Sequence, residues 1–327
     1  MKLGIIGSGN IVSEFLSFID EIKSIELVAI YGRKHSIDKL HQLQNKNNIK
    51  KVYTEFDQLL LDEEIDTLYV ALPNNLHFEF AKKGLLAGKN VILEKPFVQT
   101  MEEFMDLQKV SKDKHLHLYE AISNQYSPNF NKIAQWTNQI GDVRLVSLNY
   151  SQLSSRYAKF QTGEVLPAFD FKSGGGALQD LNVYNIHLLT GLFGRPQEIQ
   201  YSYNFVKNVD TSGILTLEYP NFISNAIAGK DVFSIENGMN FIEGDKGYIS
   251  IDKPTNDIST ISLHTENSID ILKLSEQHRM FYEFETFANK IASNDWDFMN
   301  KMLEHSKSVL KVLTTVKRQM KSDHPDK

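Results

Sequence analysis

The opening of the chain, Met1–Val12 (MKLGIIGSGNIV), constrains its fold most. An apolar run, Leu3–Ile6, is followed by Gly7-Ser8-Gly9 and then by the amphipathic stretch Ile11–Ile22. Strand, glycine turn and helix in this order are typical of the first βαβ unit of a dinucleotide-binding domain. The first glycine allows the tight turn, and the second lets a pyrophosphate approach the backbone. The motif alone also fits an ordinary strand–turn–helix, because Val12 replaces the usual third glycine.

Length and charge narrow the class of protein. At ~150 residues per domain, 327 residues predict two domains. A net charge of -6 disfavours nucleic-acid and anionic-membrane partners. The absence of cysteine excludes a disulfide framework, thiolate metal sites and a cysteine nucleophile. Because the first strand begins almost at the N-terminus and no apolar run approaches the ~18 residues of a spanning helix, we expect a cytoplasmic protein.

The end of the second expected strand bears on cofactor choice. An NAD-selective site usually places a carboxylate there, about 20 residues after the glycines, to bind the ribose 2′-hydroxyl. This chain has Tyr31-Gly32-Arg33-Lys34 instead. Two cations without a carboxylate favour a 2′-phosphate, hence NADP, although NAD remains possible. The alternative is a solvated Arg-Lys pair in a turn.

Strand and helix patterns alternate over the first 120 residues. This alternation predicts a doubly wound parallel sheet whose ligands lie beyond the carboxyl ends of the strands. The expected strands after the first are Ile25–Tyr31, Val52-Tyr53, Thr67–Leu72, Asn90–Leu93 and His115–Tyr119. Four motifs then fall on one rim of the sheet: Gly7–Gly9, Arg33, Pro73–His77 and Glu94–Pro96.

The remainder of the chain changes character. After a strand at Val143–Ser151 and a loop at Ser154–Ala168, a glycine-rich turn leads into a helix. On that helix Asp180, Tyr184 and His187 are spaced i, i+4 and i+7, so they are expected to share a face, reactive or merely solvated. Consecutive alternating runs follow and predict a large, open, mostly antiparallel sheet. Those runs include Ile199–Phe205, Ile214–Tyr219, Ser224–Ala228, Met239–Ile242, Tyr248–Ile251 and Ile269–Leu274, and helices are expected at Met280–Ala292 and Trp296–Met320.

Two signatures after the glycine loop, Ala71-Leu72-Pro73-Asn74-Asn75-Leu76-His77 and Glu94-Lys95-Pro96, resemble the glucose–fructose oxidoreductase/inositol dehydrogenase/MocA (Gfo/Idh/MocA) family. The resemblance implies a Rossmann domain over 1–120 and a substrate-binding and oligomerisation α+β domain over 121–327. It implies hydride transfer between NAD(P) and the hydroxyl or carbonyl carbon of a small sugar, polyol or related compound. It also implies a homodimer or homotetramer through the C-terminal sheet. A non-catalytic, dinucleotide-binding regulator of the same fold is the alternative.

The resemblance also suggests residue roles. Lys95 hydrogen-bonds the substrate oxygen, Tyr184 is the proton donor and acceptor with His187 as its substitute, and Asp180 orients Lys95 or holds its charge. Gln125 stands where the family commonly has Arg, and joins Lys95, Tyr184 and His187 as a candidate substrate contact, with Ser154–Phe160 as further lining. No metal is expected. The expected cofactor-binding residues are Gly7, Gly9, Asn10, Ile11, Arg33, Lys34, Leu72, Pro73, Asn74, His77, Glu94 and Lys95.

Overall fold

A computed structural model describes residues 1–164, 166–233 and 240–324. The chain forms two compact units. Unit 1 comprises Met1–Ala121 together with Glu283–Lys307, and unit 2 comprises Ile122–Tyr282 together with the chain from Ser308 onward. Nowhere in the described ranges is there a helix both long and apolar enough to cross a membrane.

Unit 1 is built on a six-stranded sheet in the order β3-β2-β1-β4-β5-β6, with every neighbouring pair parallel. This strand order is that of a Rossmann fold, and it confirms the predicted doubly wound parallel sheet. The central strands are buried almost throughout, as expected when both faces of a parallel sheet are covered. The strands are β1 Lys2–Ile6, β2 Glu26–Tyr31, β3 Lys51–Tyr53, β4 Thr67–Val70, β5 Asn90–Glu94 and β6 Leu118–Ala121.

Helices follow most of these strands. The first is shorter than predicted: it ends at Phe15, and a separate 3₁₀ turn covers Ile19–Glu21. The fifth starts with a reciprocal capping box between Thr100 and Glu103, which explains its sharp N-terminus. The helices in this part are α1 Asn10–Phe15, α2 Ile37–Asn47, α3 Phe56–Leu60, α4 His77–Leu86 and α5 Met101–Lys114.

Residues 283–307 belong to unit 1 because their aromatic side chains pack in its core. The Phe284 ring lies 4.5 Å from Phe15 and 4.9 Å from Tyr69, and the Trp296 ring stacks on His117 at 4.1 Å. The predicted second domain covers all of 121–327, whereas the structure assigns residues 283–307 of that range to unit 1. The two helices concerned are α9 Phe281–Ala292 and α10 Trp296–Asp323, and the division between the units falls within α10.

Unit 2 contains an eight-stranded sheet in the order β14-β13-β12-β11-β7-β10-β9-β8. The β7–β10 pair is parallel and all other neighbours are antiparallel, which confirms the large, mostly antiparallel sheet. One face carries the core of the unit and the other is left more exposed. The strands are β7 Val143–Ser151, β8 Glu198–Val206, β9 Val209–Glu218, β10 Ile223–Gly229, β11 Asn240–Gly244, β12 Gly247–Ile251, β13 Ile261–Thr265 and β14 Ile269–Leu272.

Three helices of unit 2 precede β8: α6 Pro128–Trp136, α7 Tyr157–Gln161 and α8 Val183–Phe193. α6 was not predicted, although Ser127 as N-cap and Pro128 in the first turn are its ordinary start signals. Residues Ser154–Ala168 were expected to be a loop, and α7 shows that this was wrong in part. β13 was not predicted, and Met239, the start of one expected strand, lies outside the described residues.

Candidate active site

The glycine loop after β1 has the geometry that a dinucleotide needs. Gly7 has φ +124°, and a Cβ there would collide with the carbonyl oxygen of Ala71. A Cβ at Gly9, by contrast, would meet nothing within 4 Å. The backbone at Gly9 is therefore open to an approaching group, and a cofactor pyrophosphate fits there. Asn10 is exposed and Ile11 is half-buried at the start of α1.

Val12 is fully buried, so the core accommodates the branched side chain in place of the third glycine.

The two cations after β2 differ in what they contact. Lys34 Nζ forms an ion pair with Glu55 Oε1 at 2.7 Å, and the same carboxylate raises the pKa of Lys34. Arg33 is exposed, and its guanidinium forms neither a hydrogen bond nor an ion pair with any part of the chain that the structure describes. Arg33 is thus the cation available to a ligand at this rim, whereas Lys34 already has an anionic partner.

A buried histidine connects two loops on the same rim. The Nε2 atom of His77 lies 2.9 Å from the carbonyl oxygen of Leu72, and Nδ1 lies 3.0 Å from that of Pro96 and 3.3 Å from that of Phe97. The side chain has no exposed surface, and burial lowers its pKa while the three carbonyls oppose that change. The imidazole therefore ties the loop after β4 to the loop after β5. Pro73 and Asn74 are in the first of these loops.

The Glu94-Lys95-Pro96 segment is fixed on both sides of its lysine. Glu94 is buried and accepts a 2.6 Å hydrogen bond from the hydroxyl of Tyr69. Pro96 is buried, follows a cis peptide bond and is held by His77. Lys95 itself is partly exposed. Its fixed neighbours restrict the directions that its flexible side chain can take.

In unit 2, a glycine-rich turn leads into the predicted helix. Gly176 has φ +109°, and a Cβ there would collide with Oδ1 of Asp210. Residues Leu178–Asn182 then form one turn of π-helix before α8 begins. Such wide turns are rare and are frequently found at functional sites. The wide turn also means that the regular helical spacing assumed for Asp180 and Tyr184 does not apply.

The three polar residues predicted on this helix have different surroundings. Asp180 is partly exposed, and its Oδ2 accepts a 2.7 Å hydrogen bond from Lys230 Nζ. Tyr184 is buried, with its ring 5.7 Å from the ring of Tyr150. His187 has no exposed surface at all. Among Asp180, Tyr184 and His187, the side chain of Asp180 is therefore the most accessible to solvent.

Gln125 has an anchoring role in the structure. Its Nε2 donates to the carbonyl oxygen of His187 at 2.9 Å and to Oδ1 of the neighbouring Asn124 at 3.2 Å. Asn124 in turn donates to the carbonyl oxygen of Tyr184 at 2.8 Å. These two amides fix the backbone of α8, and substrate contact by Gln125 stays a prediction.

Two buried charged residues near this helix were missed by the sequence analysis. Lys230 follows β10 directly, and Asp210 lies on β9. Asp210 accepts hydrogen bonds from the backbone N–H of Leu178 at 2.7 Å and from the hydroxyl of Tyr201 at 2.8 Å. An ionisable residue at a strand end is an ambiguous signal, because such residues usually belong to solvated turns. Within the described ranges no cluster of three or more potential metal-ligating His, Asp or Glu side chains is found.

A Rossmann sheet with an open glycine loop is typical of a dinucleotide-binding protein. Two family models match the chain: the oxidoreductase family with NAD-binding Rossmann fold (GFO/IDH/MocA) over residues 1–121, and the GFO/IDH/MocA C-terminal domain over residues 134–250. The chain belongs to the Gfo/Idh/MocA oxidoreductase family. This membership favours an enzyme over the alternative of a non-catalytic regulator.

Relatives match along the whole chain. The scyllo-inositol 2-dehydrogenase (NADP(+)) IolU of Bacillus subtilis is 28% identical, with 99% of this chain and 98% of that protein covered. The uncharacterized oxidoreductase YgjR of Escherichia coli is 26% identical, with 98% and 96% covered. The crystal structure of KijD10, a 3-ketoreductase of Actinomadura kijaniata in complex with NADP and TDP-benzene, shares the fold with a TM-score of 0.83 at 20% identity, covering 96% of this chain and 97% of that one.

Proposed function

We propose that this protein is an NADP-dependent dehydrogenase or reductase that acts on a CH–OH or carbonyl carbon of a small sugar, polyol or related compound. The observation that carries the proposal is the Lys95 segment. A partly exposed lysine stands at a parallel strand end between two buried neighbours that Tyr69 and His77 hold in place. The inositol dehydrogenase activity in the name of the Bacillus subtilis relative supports a polyol as the substrate class.

Each candidate residue is assigned one task. When bound, the nicotinamide supplies or accepts the hydride. Lys95 donates a hydrogen bond to the oxygen on the reacting carbon and stabilises the negative charge that develops there. Tyr184 gives a proton to that oxygen during reduction and takes it back during oxidation. Asp180 orients Lys95 or holds its charge. Gln125 and His187 remain candidate substrate contacts. The amide of Gln125 is partly buried, and the ring of His187 is fully buried.

NADP is proposed over NAD because of Arg33. A planar guanidinium without a competing carboxylate can bind a ribose 2′-phosphate through two parallel hydrogen bonds. Such charge-assisted contacts are worth about 1.5–3 kcal/mol, which corresponds to roughly ten- to hundredfold in affinity. We expect the Arg33→Ala variant to lose most of the preference for NADPH and to keep its affinity for NADH.

The matched control is Lys34→Ala, because Lys34 already pairs with Glu55. Both reduced cofactors are titrated into the three proteins by nicotinamide fluorescence at low and high salt. The preference should shrink as salt rises, since contacts at an exposed rim are screened. Tighter binding of NADH than NADPH by the unsubstituted protein would refute the NADP assignment.

The catalytic assignment is tested by activity. The protein is assayed with inositols, other polyols, sugars and their keto derivatives, with both cofactors, by nicotinamide absorbance. With a substrate identified, Lys95→Ala and Tyr184→Phe should each lower kcat by about 10²–10⁴-fold, because a general acid–base or electrostatic contact contributes that much. NADPH affinity should be nearly unchanged in both. Near-normal turnover by both variants would show that the reactive groups are misassigned.

We also propose that the protein is a cytoplasmic homodimer or homotetramer associated through the exposed face of the unit 2 sheet. That face carries apolar side chains along paired strands: Leu145 on β7 pairs with Ile223 on β10, and Ile214 on β9 pairs with Ile227. Leu145, Ile214 and Ile223 are each 45% exposed or more. An apolar sheet face of this kind suits association with a second copy.

A further inference from the structure

Lys230 is a buried cation with a defined set of partners in unit 2. Its side chain is only 3% exposed. The ammonium donates to the carbonyl oxygen of Ala168 at 2.6 Å and to Oδ2 of Asp180 at 2.7 Å. It also lies 4.6 Å from the centre of the Phe169 ring. Aromatic, carbonyl and carboxylate groups therefore surround the charge that burial removes from water.

The backbone around Lys230 fixes where that charge sits. The backbone N–H of Lys230 donates to the carbonyl oxygen of Thr211 on β9 at 2.8 Å. The carbonyl oxygen of the preceding Gly229 accepts from the N–H of Gln152 at 2.8 Å. Because the sheet holds the backbone on both sides, the fold fixes the point from which the lysine side chain extends toward Ala168 and Asp180.

The pair is asymmetric in its exposure. The side chain of Asp180 is 39% exposed, whereas that of Lys230 is 3% exposed. The cation thus lies behind the carboxylate, on the protein side, and the carboxylate is the group that a solute can reach. An ion pair that served packing alone could be replaced by apolar groups of similar volume at little or no cost in stability.

The helix alone does not fix the direction of Asp180. Asp180 lies within the wide turn Leu178–Asn182, where hydrogen bonds follow a looser pattern than in an α-helix. Its exposed carboxylate would sample several rotamers unless a partner held it. Lys230 is such a partner, at a strand end 50 residues later in the sequence.

We propose that Lys230 is a positioning residue for the reaction: it holds the Asp180 carboxylate in the single orientation in which that group acts. The inference rests on the proposed function, since it takes Asp180 as part of the reactive set. Lys230 contacts neither substrate nor cofactor and acts through Asp180. A misplacement of about 1 Å in a reactive group can cost about a hundredfold in rate, so the loss of this contact should be measurable.

The test is a double-mutant cycle on the full-length protein with its identified substrate. Lys230→Met keeps the length of the side chain and removes the charge, and Asp180→Asn removes the charge of its partner. We expect each single variant to lower kcat by about ten- to hundredfold. The double variant should be no worse than the more impaired single variant, because both changes remove the same interaction. NADPH affinity, measured by fluorescence, should stay within about twofold of that of the unsubstituted protein.

Lys207 offers a matched control in the same unit. The ammonium of Lys207, like that of Lys230, donates to backbone carbonyl oxygen. Its two partners are the carbonyl oxygens of Phe160 and Gln161, each at 2.8 Å. It also lies 5.3 Å from the centre of the Phe160 ring. It has no carboxylate partner among the residues that the structure describes. Lys207→Met should leave kcat unchanged.

The outcomes separate this inference from the proposed function. Normal kcat in Lys230→Met with a severe loss in Asp180→Asn overturns the role of Lys230 and leaves the function standing. Normal kcat in Asp180→Asn overturns the assignment of Asp180 itself, and the inference with it. If the fold-loss of kcat in the double variant equals the product of the fold-losses in the two single variants, Lys230 and Asp180 act independently. That result also overturns the inference. If Lys230→Met does not fold, Lys230→Gln, which keeps a donor for the Ala168 carbonyl, is judged by the same criteria.

Discussion

Replacement of Asp210 by asparagine should change how the stability of unit 2 depends on pH. Asp210 is buried on β9 and accepts hydrogen bonds from Leu178 and Tyr201. Burial raises the pKa of its carboxyl group from 3.8 to about 6, and the two hydrogen bonds and the charge of Lys230 oppose that rise. Asp210→Asn keeps the size of the side chain but removes the ionisation.

The magnitude follows from the difference between the folded and unfolded states. Because the folded protein binds this proton more tightly, the contribution of Asp210 to stability is fully present below about pH 4 and is lost as pH rises through about 6. At ~1.4 kcal/mol per pKa unit, the total loss is about 3 kcal/mol. An asparagine does not titrate in this range. The free energy of unfolding of the unsubstituted protein should therefore fall by about 2–3 kcal/mol relative to that of Asp210→Asn between about pH 4 and pH 7.

The assay is denaturant unfolding of both proteins at several pH values, followed through a probe that belongs to unit 2. The chain has 2 tryptophans, Trp136 in unit 2 and Trp296 in unit 1. A Trp296→Phe background leaves Trp136 as the only tryptophan, so its fluorescence reports on unit 2.

The control is Asp270→Asn, which removes an exposed carboxyl group on β14 of the same sheet. A difference between the unsubstituted protein and Asp210→Asn that is constant with pH, or that favours the unsubstituted protein more as pH rises, would refute the reasoning.

Two further expectations concern stability and assembly. Thr100→Ala removes the side-chain half of the capping box at the start of α5 and should destabilise unit 1 by about 1 kcal/mol, measured by denaturant unfolding in a Trp136→Phe background that leaves Trp296 as the probe. An unchanged midpoint would contradict the role of the cap. Ile223→Asp places a charge on the exposed sheet face and should convert the proposed oligomer to monomers in sedimentation velocity, whereas Gln135→Glu, a change of an exposed polar residue on α6, should not. An Ile223→Asp protein that sediments as the unsubstituted protein does would show that the interface lies elsewhere.

The parts of the fold that depend on the local pattern of apolar and polar residues could be predicted from the sequence. The alternation of strands and helices specified the first sheet, and consecutive alternating runs specified the second. What the sequence did not reveal was the location of Glu283–Lys307. An amphipathic helix shows which of its faces is buried, but not the sheet against which it packs, and here Phe284 packs on Phe15 and Tyr69.

The candidate site was predictable to a similar extent. Glycines with demanding backbone geometry, such as Gly7 and Gly176, are visible as motifs because no other residue fits. The wide turn at Leu178–Asn182 is not visible, because its formation depends on contacts made across the unit. Lys230 was missed for the same reason: its partner Asp180 is 50 positions away in the sequence, and no local rule pairs them.

In both units a buried polar side chain holds a segment that carries a proposed reactive residue, and the groups that this side chain contacts determine what its loss should cost. His77 contacts backbone carbonyls, and Asp210 contacts a backbone N–H, so each fixes the path of the chain. Loss of such a contact leaves a buried backbone group unsatisfied and should reduce stability. Lys230 also contacts a backbone carbonyl, that of Ala168, but its second contact is the partly exposed carboxylate of Asp180, which water can solvate once the lysine is gone. Substitution of Lys230 should therefore lower both stability and turnover, whereas substitution of Asp210 should affect stability more than turnover.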